Sequence, residues 1–447
     1  MKEFQVAYIP IGVPTYELVS AEKKFEESAE MLNDITEHVV YPDEMLLSLD
    51  KLKEFLDHLD PDLIVLQNIT FANAAYATEV LARFDCPFIL WTLREPVIDG
   101  TRLHLNSLTG AYSAANTYKQ FRKEPLDYVF GAPDEVAVQK KLAAAIQAAR
   151  LKLHLKNLTM ASIGHTPQGF GFGRALDAEM RTNFGVNLEC IEARELIHKA
   201  KSFSDEDVKE YLEDAMNRTK GLENTPEQNR LDFARLYRAY KEFVDEHHIG
   251  ALASRCWPDF FTEFGTPVCM VLSILNDLDV PSACEVDAYG ALSMYMGREL
   301  TGRSTFFGDP VSMDEKEGTV TFWHCGMAAC SLARTDTGAE VGEHCNRHIG
   351  PTMEFGCKAE KEVTIFRVGK DCEDKFRFLI APGEALDKPK QFYGTSIVVR
   401  TDMDAKKFVE QTVTEGWEPH FVVIYGNVAD ELEILGHQLN IPVERLG

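Results

Sequence analysis

Two carboxylates raise the question of chemistry: Glu285 in PSACEVDAYG and Asp309 in STFFGDP. Each stands where a short apolar run is expected to end as a strand. Polar side chains at strand ends face the crevice in which open α/β sheets bind ligands. Two acids brought to one edge can hold a divalent cation, or divide proton transfer between a base and an acid. One carboxylate alone at such a place is more often a cap or turn residue. It is the pair that points to function.

The elements that must position this pair are legible in outline. Val280 to Cys284 reads as a short buried strand. Ala288 to Leu300 carries Leu292, Tyr295, Met296 and Leu300 at helical spacing and is stopped by Thr301 and Gly302. Ser304 to Phe307 is a second strand that delivers Asp309. A strand, helix, strand passage of this length is a right-handed crossover. That predicts two parallel strands with Glu285 and Asp309 on the same edge.

Upstream, residues 1–155 alternate strand and helix patterns and read as an N-terminal α/β domain with a parallel sheet and helices on both faces. One of its strands runs into Thr92, Leu93, Arg94 and Glu95, at the usual ligand side. A second α/β domain is expected over 156–302. Its first strand enters GHTPQGFGFGR, which lacks both the dinucleotide fingerprint and the phosphate-loop lysine. It reads as a tight loop with Phe170 or Phe172 lining a sugar pocket. Another strand ends at Arg255, Cys256, Trp257 and Pro258. An aromatic face that covers C–H bonds and a guanidinium that forks onto oxygens suit sugar recognition.

From 303 to 447 strands dominate, which predicts a mainly antiparallel, barrel-like C-terminal domain. His420 opens its strand FVVIY, so the site is expected at the seam of the second and third domains. The fold class is thus two tandem Rossmann-like α/β domains followed by a β-rich domain that completes the site.

Length and charge bound the partners. A chain of 447 residues, 45% of them hydrophobic, suggests about three domains with real cores. Lys and Arg number 46 against 71 Asp and Glu, a net charge of −25 that would repel phosphate backbones and anionic lipid. Neither nucleic acid nor membrane is an expected partner. MKEFQVAYIPIG is a strand pattern without a cleavable small-residue site, and no run has the length of a membrane span, so a cytoplasmic location is expected. The ten cysteines are scattered singly, as reduced thiols are. His324, Cys325, Cys330, His344, Cys345, His348 and Cys357 lie close in sequence but match no zinc finger or ribbon, and read as strands and turns.

The runs CEVDAYGALSMYMGRELTG, FFGD, VTFWHCG and GWEPHFVVIYGN resemble the L-fucose and L-arabinose isomerase group of metal-dependent aldose-ketose isomerases. The resemblance is sharp over Ala253 to Gly326 and around His420, and architectural upstream. It implies a cation held by Glu285, Asp309 and His420, with the two carboxylates also moving protons; we assign Glu285 as base and Asp309 as acid, an order that the sequence alone leaves open. The arabinose branch adds a histidine at a place comparable to His324. Oxygen-rich ligation with an imidazole favours manganese, with magnesium or cobalt as alternatives.

Some members that resemble this chain act on sulfoquinovose, a hexose with a sulfonate at C6. That sugar is the expected substrate, with L-fucose and L-arabinose as neutral alternatives. Pro14, Thr15, Tyr16 and Glu17 stand where the fucose enzymes carry an arginine motif. An anionic sugar would call on Arg94, Arg102, His104, Arg255 and Arg347, with Trp257 and Phe170 beside them. The resemblance also implies a homotrimer or hexamer. A different class, the sugar sensors built of two α/β domains, closes on ligands without chemistry and needs neither the acid pair nor a third domain.

Overall fold

Apolar runs alternating with amphipathic helices build the first half of the structure, a computed structural model that describes residues 3–447. The chain forms two compact units, one of residues up to His154 with Asp430–Ile441, the other of Leu155–Ala429 with Pro442–Gly447. In the first unit the order is β1 (Val6–Ile11), α1 (Leu18–Ile35), β2 (Val39–Val40), α2 (Leu49–Leu56), β3 (Leu63–Asn68), α3 (Ala74–Arg83), β4 (Phe88–Thr92), α4 (Ser107–Phe121), β5 (Asp127–Phe130) and α5 (Val136–Asn157). The five strands make a parallel sheet in the order β2-β1-β3-β4-β5. Every residue of β1, β3 and β4 is buried, which explains their continuous apolar runs: a parallel sheet is covered on both faces.

The second unit opens with β6 (Thr159–Ile163), α6 (Asp177–Phe184), β7 (Asn187–Ile191), α7 (Ala193–Ser202), α8 (Lys209–Arg218), α9 (Glu227–Glu246), β8 (Ala251–Ser254), α10 (Cys269–Asp277), β9 (Ser282–Cys284) and α11 (Ala288–Thr301). Its strands form a second parallel sheet, β7-β6-β8-β9. There follow β10 (Phe306–Asp314), β11 (Thr319–His324), β12 (Val341–Gly342), β13 (Thr352–Met353), β14 (Glu360–Lys370), β15 (Phe376–Ala385), β16 (Thr395–Thr401), α12 (Ala405–Thr414), β17 (Phe421–Tyr425) and β18 (Val443–Arg445), while α13 (Ala429–Gln438), between the last two in sequence, belongs to the first unit from Asp430 on. Strands β14-β17-β10-β11-β16-β15 pair antiparallel, and β15 closes back on β14. The result is a six-stranded barrel, with β18 added parallel to β15. Two Rossmann-like parallel sheets and an antiparallel barrel are therefore present as expected.

One expectation about the acids fails. Strands β9 and β10 are not parallel neighbours: β9 is the edge of the four-stranded sheet, whereas β10 pairs antiparallel with β11 and β17 in the barrel. The crossover rule holds only for strands of one sheet. Here β9 has three residues, and β10 finds partners for both of its edges in Thr319–His324 and the apolar FVVIY run. Asp309 accordingly lies inside β10, opposite Trp323, and not beyond the strand's end. Among the described residues all ten cysteines are free thiols, and no helix is long and apolar enough to cross a membrane.

Candidate active site

Strand β9 ends in an abrupt turn. Glu285 and Val286 both take left-handed backbone conformations, φ 58° and 57°. That conformation costs a non-glycine residue about 1–2 kcal/mol, and a β-branched residue rarely adopts it. The turn is held by its surroundings. Val286 N donates to Ser254 O (3.3 Å), Asp287 N to Cys284 O (3.1 Å), and the Val286 side chain is buried. Asp287 caps α11, its Oδ1 accepting from Gly290 N at 2.9 Å.

The turn sets Glu285 and Asp287 against one imidazole. His420, delivered by the start of β17, has Nε2 3.1 Å from Glu285 Oε2 and Nδ1 2.9 Å from Asp287 Oδ2. Asp309 Oδ1 lies 3.5 Å from the same Nε2. His324, the last residue of β11, is buried with its ring 5.8 Å from that of His420, and its Nδ1 has no hydrogen-bond partner. Phe307 packs beside both imidazoles, 4.6 Å from His420 and 5.5 Å from His324. One donor atom each from Glu285, His324 and His420 falls within 4.8 Å of the other two. Asp309 stands beside this group and is not part of it.

Behind the histidine is a buried ion pair. Arg367 on β14 is fully buried and donates to Asp287 from Nη1 (2.6 Å) and Nη2 (3.1 Å). Its Nε lies 4.0 Å from Glu418 Oε2, and Glu418 Oε1 accepts from Lys370 N at 2.8 Å. The charges of the cluster are strongly interdependent. Burial opposes ionisation of Asp287, yet Arg367 and His420 outweigh it and hold the carboxyl far below its usual range. Burial likewise opposes a charge on His420, but its bonds to Asp287 and Glu285 raise it to about 9. Burial pushes Asp309 up to about 6, with His420 opposing and the charges of Glu285 and Asp287 adding. Burial also lowers His324 to about 4, which leaves it a neutral imidazole.

These residues fit a divalent cation. A buried, unprotonated imidazole with an orphaned ring nitrogen, within reach of a carboxylate and a second imidazole, is a donor set awaiting an acceptor of lone pairs. Asp287 supplies the supporting contact that metal-binding histidines ordinarily have, a carboxylate on the remote ring nitrogen.

Aromatic rings from the glycine-rich segment and the β8 end line the approach. Trp257 Nε1 donates to Glu285 Oε1 at 3.0 Å. Phe170 meets Trp257 edge-on at 6.0 Å and lies 6.4 Å from His420, and Phe172 is 5.4 Å from His420. The loop carrying them is pressed onto the head of α11. A Cβ on Gly173 would come within 2.7 Å of Asp287 Cα, a backbone atom that cannot step aside. Gly173→Ala is therefore expected to destabilise the protein by about 1–3 kcal/mol through overpacking. Denaturant melts should show this, together with a loss of turnover as Asp287 shifts; an unaltered melt would contradict it.

Of the predicted residues, the second unit brings together Glu285, Asp309, His324, His420, Trp257 and Phe170. Arg255 lies in the Trp257 segment, paired through Nε with Asp259 and donating from Nη1 to His165 O at 2.8 Å. Arg347 stacks on Trp257 and Phe261, 5.5 and 4.9 Å from the ring centroids. Arg94, Arg102 and His104 belong to the first unit. There Arg94 grips Glu135 with two bonds (2.7 and 3.0 Å), Arg102 donates to Thr15 O, and His104 lies 3.9 Å from Glu17. Sequence reasoning missed Asp287, Arg367 and Glu418. A signal existed for Arg367: an arginine inside the apolar strand EVTIFRVG must find a partner if it faces inward.

A cluster that could hold a cation, with carboxylates beside it and aromatic rings near it, suits an enzyme acting on a small polar molecule, and the chain's relatives make the class that of an aldose-ketose isomerase. Full-length relatives specify the class further. The chain is 59% identical over 99% of its own length and of a protein from Clostridium sp. (strain MSTE9) named sulfoquinovose isomerase. It is 36% identical, again over 99% of both chains, to the sulfoquinovose isomerase of Priestia megaterium, and 37% identical to that of Alkalicoccus urumqiensis over 98% of both. No protein-family model matches the chain. The chain belongs to the sulfoquinovose isomerase family.

Proposed function

We propose that the protein converts sulfoquinovose to 6-deoxy-6-sulfofructose by proton transfer between C2 and C1 of the open-chain sugar. The observation that carries this is the 59% identity, end to end, with a protein of that name. The cluster supplies a chemical rationale. Glu285, held by the Trp257 N–H on one oxygen and by His420 on the other, is oriented to take the C2 proton. Asp309, partly open to solvent beside it, hands a proton between the C1 and C2 oxygens. Phe170 and Trp257 offer their faces to the sugar's C–H bonds and keep water from the proton path.

Glu285, His324 and His420, with Asp309 alongside, would hold a divalent cation, manganese first and magnesium or cobalt as alternatives. When bound it would polarise the carbonyl and stabilise negative charge on the enediol oxygens. The likeness of the site motifs to L-fucose and L-arabinose isomerases supports the same chemistry, and their trimeric or hexameric assembly is proposed here as well.

The test is turnover of sulfoquinovose, L-fucose and L-arabinose by chelated protein, with and without added manganese, the ketose being read by NMR. Chelation is expected to lower sulfoquinovose turnover at least about 100-fold, and manganese to restore it. Undiminished turnover by fully metal-free protein would overturn the metal assignment. Conversion of a neutral sugar alone would overturn the substrate.

A further inference from the structure

We propose that Arg347 is the residue that recognises the sulfonate of the substrate, and so sets the preference for a sugar charged at C6. The inference rests on the reading of the protein as a sulfoquinovose isomerase and assigns the part of the site that makes that sugar, and not its neutral counterpart, fit.

Arg347 is held in place yet left chemically unsatisfied. It lies on the turn between β12 and β13, where His344 N donates to Ile349 O (3.0 Å), Arg347 N and His348 N donate to His344 O (3.1 and 2.8 Å), and Asn346 N donates to His344 Nδ1 (3.3 Å). The His344 ring is buried edge-on against Phe261 at 5.1 Å. The turn therefore presents its arginine from a fixed base. The guanidinium packs on Trp257 and Phe261 but, among the described residues, makes no ion pair and no side-chain hydrogen bond. In a chain of net charge −25 such an unpaired arginine needs a reason. Stacking on aromatic faces fixes the plane of a guanidinium while leaving its edge N–H groups free to fork onto an oxyanion.

The position suits the far end of the sugar. Trp257 links the two ends of the site: its N–H is bonded to Glu285 and its ring carries Arg347. A hexose that offers C1 and C2 to Glu285 and lies along the indole brings C6 toward the guanidinium. A cavity of about 710 Å³ lined by Trp323, Cys345, Asn346 and Tyr393 opens beside the same turn, with Trp323 stacked 6.4 Å from His324.

The other cations of this unit near the site are less suited. The Arg255 fork is taken by Asp259 and His165 O, and Lys390 at the cavity rim is paired with Glu354. Arg174 lines a separate cavity of about 570 Å³ whose walls include Asp177, Glu192 and Glu195, carboxylates that would repel an anion.

The test compares wild type, Arg347→Gln and Arg347→Lys, each metal-loaded and checked for native circular dichroism, on sulfoquinovose. Losing a charge-assisted fork should raise KM for Arg347→Gln about 100-fold while kcat stays within about threefold. Arg347→Lys, which keeps the charge but not the fork, should fall between. Methanesulfonate should compete with sulfoquinovose in the wild type and lose that effect in Arg347→Gln. An unchanged KM in folded Arg347→Gln would overturn the proposal, as would a collapse of kcat in both variants, which marks a structural role. If Arg347→Gln fails to fold, Arg347→Lys decides: a KM equal to wild type overturns the proposal. Failure of the wild type itself to isomerise sulfoquinovose would instead strike the parent reading, and this inference with it.

Discussion

Glu285→Gln is expected to lower kcat by at least about 1,000-fold, the range over which a positioned general base acts. The substitution is nearly isosteric. Its amide oxygen can still accept the Trp257 N–H that Glu285 Oε1 now accepts at 3.0 Å, so the strained turn at φ 58° and 57° has no reason to relax. What is lost is the charge facing His420 and the ability to take a proton. Because Glu285 also belongs to the group that can hold a cation, the measurement must report metal content beside turnover. Variant protein saturated with manganese and inactive places the defect in proton transfer. Saturated protein retaining more than a few per cent of wild-type activity would remove Glu285 from the role of base.

Much of this arrangement could be read from the chain, and the parts that could not have physical causes. Apolar runs alternating with 3.6-residue patterns exposed the two parallel sheets and the strand-rich end, because Leu63–Asn68 and Phe88–Thr92 each open with four consecutive apolar residues. The acids stood out as a pair, and His420 through the resemblance of its run GWEPHFVVIYGN to the aldose-ketose isomerases. Their route to one place was misread. Glu285 arrives from a sheet edge through a left-handed turn, and Asp309 arrives from within a barrel strand. A local pattern cannot say which sheet a strand joins, since that is decided by partners such as Phe421–Tyr425, far along the chain.

The supporting residues were the hardest to see. Asp287 is two places from Glu285, and in sequence it is only an acid before a helix, a position where a cap suffices to explain it. Its second task, receiving Arg367 and His420 together, exists only once β14 and β17 lie side by side in the barrel. His324 was legible only through its resemblance to the extra histidine of the arabinose branch. Its neighbours Trp323 and Cys325 give no sign that its ring nitrogen is left without a partner.

That supporting pair carries the second large expected effect. Arg367→Met leaves Asp287 buried with its main counter-charge gone, and breaking a buried pair from one side costs about 3–5 kcal/mol. Equilibrium denaturation should show a loss of that order; a loss below about 1 kcal/mol would show that Asp287 does not depend on the guanidinium as its counter-charge. Asp287→Asn tests the other side of the pair and separates stability from function. As a carboxylate, Asp287 accepts the Nδ1 proton of His420, so that Nε2, the nitrogen beside Glu285, is the one to give up its proton when a cation binds. An asparagine that turns its oxygen to Arg367 must turn its NH2 group to Nδ1, which drives the histidine's proton onto Nε2. Metal affinity should then fall about 10–100-fold, the usual cost of losing a carboxylate behind a liganding histidine, measured by manganese titration. The two substitutions meet at one buried contact, so their effects on stability should not add: the double variant should be less damaged than the sum of the single ones, because the neutral amide of Asp287→Asn no longer leaves a charge for the missing arginine to neutralise. Strict additivity would show that Arg367 supports the barrel without holding Asp287 against His420.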